Sequence, residues 1–257
     1  MVAEMVGSTD VGIQADDSGA RPLRLVAVTH GAPSAENRQA VIRLVDGVAS
    51  ERPELDVSIS FVDAANRDVA ASLAAAAEPD AVIVPLVLSA GFHVRTGLSL
   101  GLDRLGDAAE LAGELGPDDR IVAVLAHRLR TLGLDDDDSV VLAAAGSNDP
   151  RAVRECFETA RRLAHRLGRP VTVGFIAAAI PRLPDAIEMI REVHPGSRVV
   201  VGAYLLAPGT FYDAAGASGG DLIADPLLLP GESAPHELVE LVLERFAAVD
   251  ASHWERA

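Results

Sequence analysis

The sequence predicts an α/β protein of two duplicated lobes, each a small parallel sheet flanked by helices, with a cleft between them. Short β-branched runs alternate with longer segments rich in Ala, Leu and charged residues, a pattern typical of parallel sheets with helical crossovers. The same succession runs twice along the 257 residues. Three strand ends of the first half recur in the second half at nearly constant spacing, which indicates a duplication.

The predicted elements of the first half begin with an apolar run at 23–29, which predicts a buried strand that ends at His30-Gly31. The segment 34–50 predicts a helix because its apolar residues fall on one helical stripe. The other predicted elements of this half are strands at 57–62, 81–88 and 121–125 and a helix at 69–77.

The second half begins with a predicted strand at 139–144. Asn148-Asp149-Pro150 predicts a helix start, since a capping side chain is followed by proline in the first turn. The remaining predicted elements are strands at 171–176, 198–206 and 221–224 and helices at 151–167, 184–193 and 236–248.

We therefore expect three regions: a flexible tail at 1–20, a first lobe at 21–135 and a second lobe at 136–257. The join lies near the four adjacent acids at 135–138. We interpret this run as a solvated linker rather than a metal site, because flexible like charges bind a cation weakly.

Composition excludes several classes of protein. The 38 acidic and 22 basic residues give a net charge of −16, which repels nucleic acid and anionic membranes. A single cysteine rules out an intrachain disulfide, and no apolar stretch reaches the roughly 20 residues that span a bilayer. The first twenty residues have acidic groups before any basic one, unlike a secretory signal. We expect a cytoplasmic protein with no nucleic-acid or membrane partner.

Three polar residues follow apolar strands in the first half: His30, Asp63 and His93. In open parallel sheets, ligands bind at the carboxyl ends of the strands. Neutral imidazole is a common ligand of divalent iron, cobalt, nickel and zinc. The aligned residues of the second half are Ala145, Ala177 and Phe211. The sequence thus predicts one metal site, in the first half, with His30 and His93 as ligands and Asp63 as a third ligand or proton acceptor; the alternative is that each histidine is an isolated polar residue.

These motifs resemble those of the sirohydrochlorin chelatases. Thr29-His30-Gly31-Ala32-Pro33 is similar to their HGS or HGT turn, and VPLVLSAGFHVR at 84–95 is similar to their VPLFL…G.HV+ segment. LAAAGSNDP at 142–150 and YLLAPG at 204–209 resemble the fused two-lobe long form of actinobacterial type. The resemblance covers roughly residues 23–250.

The resemblance implies a class II, ATP-independent lyase that inserts Fe²⁺ or Co²⁺ into sirohydrochlorin, for siroheme or cobalamin biosynthesis. It also implies that His30 and His93 bind the metal and that Asp63 stands where members often have Glu. Nickel suits imidazole as well, so the sequence does not select the metal. Ala32-Pro33 and Gly97 depart from the family pattern, and these departures bear on which tetrapyrrole is bound and on how its carboxylates are held.

Insertion requires two pyrrole N–H protons to leave, and His30, His93 or Asp63 is a candidate acceptor. The cleft is expected to be apolar and poor in aromatic residues, as only 4% of the chain is aromatic. The candidate cations for the substrate carboxylates are Arg95, Arg38 and Arg182. Because one chain supplies both lobes, a monomer is expected.

Two other functions stay open: a non-catalytic metal or tetrapyrrole carrier that keeps the histidine pair, and a two-lobed small-molecule binding protein without metal.

Gly216-Ala217-Ser218-Gly219-Gly220 matches G-x-S-x-G but precedes a predicted strand, whereas a nucleophile elbow follows one. The sequence contains no P-loop, and no G-x-G-x-x-G follows the first strand, so no nucleotide is expected. His127 is kept as a cleft candidate at the end of the 121–125 strand, and Cys156 is assigned a packing role.

Overall fold

The computed structural model describes residues 24–30, 34–62, 81–89 and 109–254, which form two four-stranded parallel sheets covered by helices. The first sheet has the order β2-β1-β3-β4. Its strands are β1 (Arg24–His30), β2 (Asp56–Val62), β3 (Ala81–Pro85) and β4 (Ala109–Leu111), and helix α1 (Ala35–Glu51) joins β1 to β2. The predicted helix at 69–77 lies outside the described residues.

The second sheet repeats this arrangement in the order β6-β5-β7-β8. Its strands are β5 (Ser139–Ala144), β6 (Val171–Phe175), β7 (Val199–Tyr204) and β8 (Leu222–Ile223). The remaining described helices are α2 (Asp119–Thr131), α3 (Pro150–Leu167), α4 (Leu183–Val193), α5 (Thr210–Gly216) and α6 (His236–Trp254). The predicted fold class, two α/β lobes with parallel sheets, is confirmed.

Local sequence explains where two of these helices begin. The Ser34 hydroxyl accepts a hydrogen bond of 3.1 Å from the backbone N–H of Asn37 and caps α1. The Asp149 carboxylate accepts one of 2.9 Å from the N–H of Arg151, and Pro150 follows it in the first turn of α3. Both caps satisfy backbone donors that a helix leaves without an intrahelical partner, and the predicted start of the second helix is confirmed.

The predicted strand at 121–125 is wrong, because this segment lies inside α2. Its β-branched residues resemble a strand, but Asp118 caps the segment by accepting a hydrogen bond from the N–H of Arg120. Buried Ile121, Leu125 and Leu129 then recur every four residues, which is helical spacing. His127 is therefore an exposed helical residue, not the end of a strand, and it does not line the cavity described below.

Two helices are exchanged between the lobes. Helix α2 follows the last strand of the first sheet but packs on β7 and α3 of the second lobe. Helix α6 follows the last strand of the second sheet and packs on α1 and β3 of the first lobe. Their buried apolar residues join one continuous core that includes both lobes. The division of the chain near residue 135 stays a prediction, and these two helices cross it.

The acidic run at 135–138 is not a fully solvated linker, contrary to the interpretation from sequence. The Asp138 side chain is only 5% exposed. It accepts hydrogen bonds from Nε and Nη2 of Arg198 at 2.9 and 2.6 Å, and these bonds lower the pKa of its carboxyl group. Arg169 Nη1 donates to the Asp135 carbonyl at 2.6 Å. The run is thus fixed to the second lobe by arginines that lie far from it in sequence.

None of the helices that the structure describes is both long and apolar enough to cross a lipid bilayer.

Candidate functional site

A cavity of about 530 Å³ lies between the carboxyl ends of the two sheets. The first lobe contributes the end of β1, the start of α1 and the segment after β3, and the second lobe contributes the ends of β5 and β7 and the start of α5. The described lining consists of Thr29, Ser34, Asn37, Val41, Leu86, Val87, Leu88, Ser89, Ala144, Ala145, Cys156, Tyr204, Leu205, Leu206, Ala207, Pro208, Gly209, Thr210, Phe211 and Tyr212. The sequence predicted a cleft in this position, at strand ends between two lobes.

First-lobe residues close in sequence to His30 and His93 line this cavity. Thr29 lines the cavity, and His30 follows it as the last residue of β1. In the sheet, His30 pairs with Val62, the residue before Asp63 in the chain. Ser89, which also lines the cavity, is the last described residue before the segment that holds His93.

Asp63, His93 and Arg95 lie outside the described residues, as does the side chain of His30. Within the described part of the chain, no three His, Cys, Asp or Glu side chains are grouped so that they hold a metal ion. The metal pair therefore stays a prediction, supported by the backbone position of His30 beside the cavity.

The corresponding strand ends of the second lobe are closed by backbone. The N–H of Ala177 donates to the Ala145 carbonyl at 2.9 Å, and the N–H of Ile176 donates to the Ala144 carbonyl at the same distance. A Cβ atom placed on Gly146 would lie 1.8 Å from the Ala177 carbonyl oxygen. This wall presents methyl groups and peptide bonds where the first lobe has His30 and, in sequence, Asp63.

The cavity is richer in aromatic residues than the sequence analysis expected. Both tyrosines of the chain and one of its six phenylalanines line it. Tyr204 is buried, and its hydroxyl donates to the Leu88 carbonyl of the first lobe at 3.0 Å. Burial raises the pKa of Tyr204, so the hydroxyl keeps its proton. The expectation was wrong because composition reports how many aromatic residues a chain has, not where they gather.

A second hydrogen bond joins the lobes at the cavity. Asn37 Nδ2, on α1, donates to the Pro208 carbonyl in the segment after β7 at 2.8 Å. Together with the Tyr204 contact, it fixes the second-lobe wall against two of the three first-lobe segments that flank the cavity, the start of α1 and the segment after β3. Neither bond has a local sequence signal, because each joins residues more than a hundred positions apart.

Charge is absent from the described lining, whose polar groups are neutral hydroxyl, amide and thiol groups. Arg38 follows Asn37 on α1 and is exposed, with its guanidinium carbon 4.6 Å from the centre of the Phe61 ring. Because Phe61 pairs with Thr29 in the sheet, Arg38 lies near the strand end that carries His30. Arg182 is at the start of α4 in the second lobe and donates to the Ile176 carbonyl at 3.3 Å. Both roles in binding substrate stay predictions.

Cys156 combines the packing role expected of it with a place in the cavity wall. It is 3% exposed and belongs to the core, and burial raises the pKa of its thiol to about 11. At neutral pH the group is a protonated thiol and a weak nucleophile.

Ser218, in the G-x-S-x-G match, follows α5 rather than a strand and donates to the Ala214 carbonyl at 2.7 Å. The structure gives that serine no context for nucleophilic catalysis.

Comparisons with known proteins give both a family and a fold. The sequence matches the CbiX family over residues 24–132 and 139–215. The comparison with curated proteins gives no match.

Three solved structures share the architecture. SirB from Bacillus subtilis with Fe³⁺ has a TM-score of 0.62 at 17% identity, covering 86% of this chain and 94% of that one. The sirohydrochlorin chelatase SirB from Bacillus subtilis subspecies spizizenii in complex with cobalt has a TM-score of 0.55 at 14% identity, covering 87% and 94%. CbiX, described as the terminal enzyme for siroheme biosynthesis in denitrifying bacteria, has a TM-score of 0.58 at 21% identity, covering 86% and 98%. At these identities the similarity shows a common fold.

Proposed function

The chain belongs to the CbiX family, and on that premise we propose that it is a chelatase that inserts a divalent metal ion, Fe²⁺ or Co²⁺, into sirohydrochlorin. The observation that carries the proposal is the two-lobed cavity at the end of the strand that His30 terminates. Its volume of about 530 Å³ lies within the range of small-molecule pockets. The solved relatives with iron and cobalt support a metal as the second substrate.

In the proposed reaction, His30 and His93 hold the metal ion through neutral ring nitrogens and leave other coordination positions for water and the pyrrole nitrogens. The register supports the place of Asp63, since the chain reaches it directly after Val62, the sheet partner of His30. Two N–H protons leave the macrocycle as the metal enters and sheds its other ligands. Asp63 or an imidazole accepts these protons and passes them to water.

The charge distribution favours the substrate's ring inside the cavity and its carboxylates at the rim. The described lining is neutral and mostly apolar, which suits the flat ring but not its carboxylates. The chain has a net charge of −16 and opposes a polyanion, so nearby cations are needed at the rim. We assign this role to Arg38, Arg95 and Arg182. Arg38 has the strongest support because it adjoins the cavity residue Asn37.

Substitution of the histidines tests the proposal. His30→Ala and His93→Ala are each expected to abolish insertion of Fe²⁺ and Co²⁺ into sirohydrochlorin. The reaction is measured by the change in the visible absorption spectrum of the tetrapyrrole. His127→Ala is the matched control, since His127 is exposed on α2 and does not line the cavity, and it should keep the wild-type rate. If both cavity variants kept wild-type rates with both metals, the metal pair would be wrongly assigned. Parallel assays of the wild type with Fe²⁺, Co²⁺ and Ni²⁺ determine which metal is inserted fastest.

A carrier that keeps the histidine pair is the second candidate, favoured by the departures at Ala32-Pro33 and Gly97. Single-turnover assays separate the two functions. A chelatase converts one equivalent of bound tetrapyrrole to the metal complex faster than the free mixture reacts, whereas a carrier binds both without acceleration. Light scattering tests the expected monomer, which both functions allow.

A further inference from the structure

The second-lobe wall presents an exposed aromatic ring to the cavity. Phe211 lies in the first turn of α5 and lines the cavity, yet 47% of its surface is exposed. Burial of a phenylalanine ring is strongly favourable, so a ring left half in water inside a cavity indicates a ligand that covers it. Phe157 is exposed to the same extent but lies outside the described cavity lining, so the distinctive feature of Phe211 is its place in the cavity wall.

The backbone before Phe211 is fixed by a glycine-specific conformation and by a hydrogen bond to the first lobe. Gly209 precedes α5 with φ +152° and ψ −171°, a conformation essentially restricted to glycine. The carbonyl of the preceding Pro208 accepts the hydrogen bond from Asn37 Nδ2 at 2.8 Å. The start of α5 is thus fixed to α1, the helix that follows the His30 turn.

We propose that Phe211 is the stacking platform for the conjugated macrocycle, on the face opposite the metal; this inference rests on the proposed function. The lobes face each other across the cavity, with His30 ending a strand of one and Phe211 in the wall of the other. Aromatic systems stack in offset arrangements that are stronger than area burial alone explains. Phe211 also occupies the position that aligns with His93 in the duplication, so one repeat provides a metal ligand and the other a ring.

Binding of metal-free sirohydrochlorin tests this proposal without any metal chemistry. Phe211→Ala should weaken binding by about tenfold, while Phe211→Tyr, which keeps the ring, should stay within about twofold. Phe211→Leu keeps apolar area without a ring and should also bind more weakly. The matched control is Phe157→Ala: Phe157 is 46% exposed, but it lies on α3 outside the cavity lining, edge-on to Phe175 at 5.8 Å. This control should bind as the wild type does.

Steady-state insertion gives a second readout: Phe211→Ala should raise KM for sirohydrochlorin with little change in kcat. Because about half of the ring's surface is buried, Phe211→Ala should lower Tm by only about 2–4 °C. A cooperative unfolding transition well above the assay temperature then excludes misfolding as the cause of weaker binding. Unchanged binding by Phe211→Ala, or wild-type binding by Phe211→Leu, would overturn the proposal. So would a wild-type dimer that Phe211→Ala converts to a monomer without loss of tetrapyrrole binding, because a second copy would then cover the ring.

The failure of this inference can be told apart from failure of the proposed function. If the wild type inserts no metal but its binding of metal-free sirohydrochlorin depends on the ring at 211, the chelatase proposal fails and the platform stands. If the wild type inserts Fe²⁺ or Co²⁺ and Phe211→Ala does so with unchanged KM, only the platform fails. A wild type that binds no sirohydrochlorin overturns both.

Discussion

Two glycines with the same backbone angle give a test of how tightly the second lobe's strand ends are closed. Gly133 and Gly146 both have φ +90°, where a side chain is strained. Among the described residues other than its chain neighbours, a Cβ atom on Gly133 would meet no heavy atom within 4 Å, whereas one on Gly146 would lie 1.8 Å from the Ala177 carbonyl oxygen. The substitutions Gly133→Ala and Gly146→Ala therefore share the backbone strain and differ in the steric contact.

The expected losses follow from these two contributions. Placing a Cβ at positive φ costs about 1 kcal/mol of folding free energy, which is the whole effect expected at Gly133. At Gly146 the Ala177 carbonyl must also move by about 1.6 Å to reach ordinary contact. This endangers the hydrogen bond of 2.6 Å that the carbonyl accepts from the N–H of Ala179 and the one of 2.9 Å that the N–H of Ala177 donates to the Ala145 carbonyl. Each lost bond costs about 1 kcal/mol, so the total is about 3 kcal/mol.

Thermal unfolding followed by calorimetry and far-ultraviolet circular dichroism measures both variants. For a protein of this size, 1 kcal/mol corresponds to roughly 2–4 °C in Tm. We expect Tm to fall by about 2–4 °C for Gly133→Ala and by about 6–12 °C for Gly146→Ala. Equal decreases would refute the steric argument, because they would show that the strand ends yield to a methyl group without cost.

Three further predictions concern polar groups that are wholly or partly buried. Tyr204→Phe leaves the Leu88 carbonyl without its donor and should cost about 1–2 kcal/mol by thermal unfolding, and it should lower kcat for insertion more than KM, because Leu88 leads into the segment with His93. Burial raises the pKa of Asp118, but hydrogen bonds and charge from Arg120 outweigh it, so the net pKa is lowered; the stability advantage over Asp118→Asn should be full above about pH 4 and disappear as pH falls further, measured by urea unfolding at each pH. Cys156 should resist iodoacetamide at pH 8 in the folded protein and react once unfolded, as measured by mass spectrometry, because burial raises its pKa to about 11.

Sequence reasoning succeeded where a local pattern determines structure. The strand at 139–144 has the predicted bounds, and the helix after Asp149 begins as predicted. His30 ends β1 because an apolar run stops there, and this position follows from one short segment of chain. Such features depend on neighbours in sequence, so a single chain contains the information needed to find them.

Features that depend on distant contacts could not be predicted in the same way. The segment at 121–125 has strand-like residues that outweighed the local helix signals, which are the Asp118 cap and the four-residue apolar spacing, and its packing on the second sheet fixes the face that it buries. The sequence predicts that Asp138 belongs to a solvated acidic run, because Arg198, whose guanidinium binds the Asp138 carboxylate, lies far away in sequence. The sequence predicts only that Tyr204 belongs to a strand, and it does not indicate that the tyrosine hydroxyl donates a hydrogen bond to the other lobe.

The exchange of helices explains how two repeats can diverge without losing their cleft. Helices α2 and α6 each complete the core of the lobe they do not follow, so the lobes share one core and are not joined by a linker alone. The second lobe therefore keeps its strand-end turn at Gly146, which closes the wall, even though it has alanine where the first lobe has His30. In the proposed function, the second repeat carries Phe211 at the position of His93, and the same residue in the first repeat would remove a proposed metal ligand.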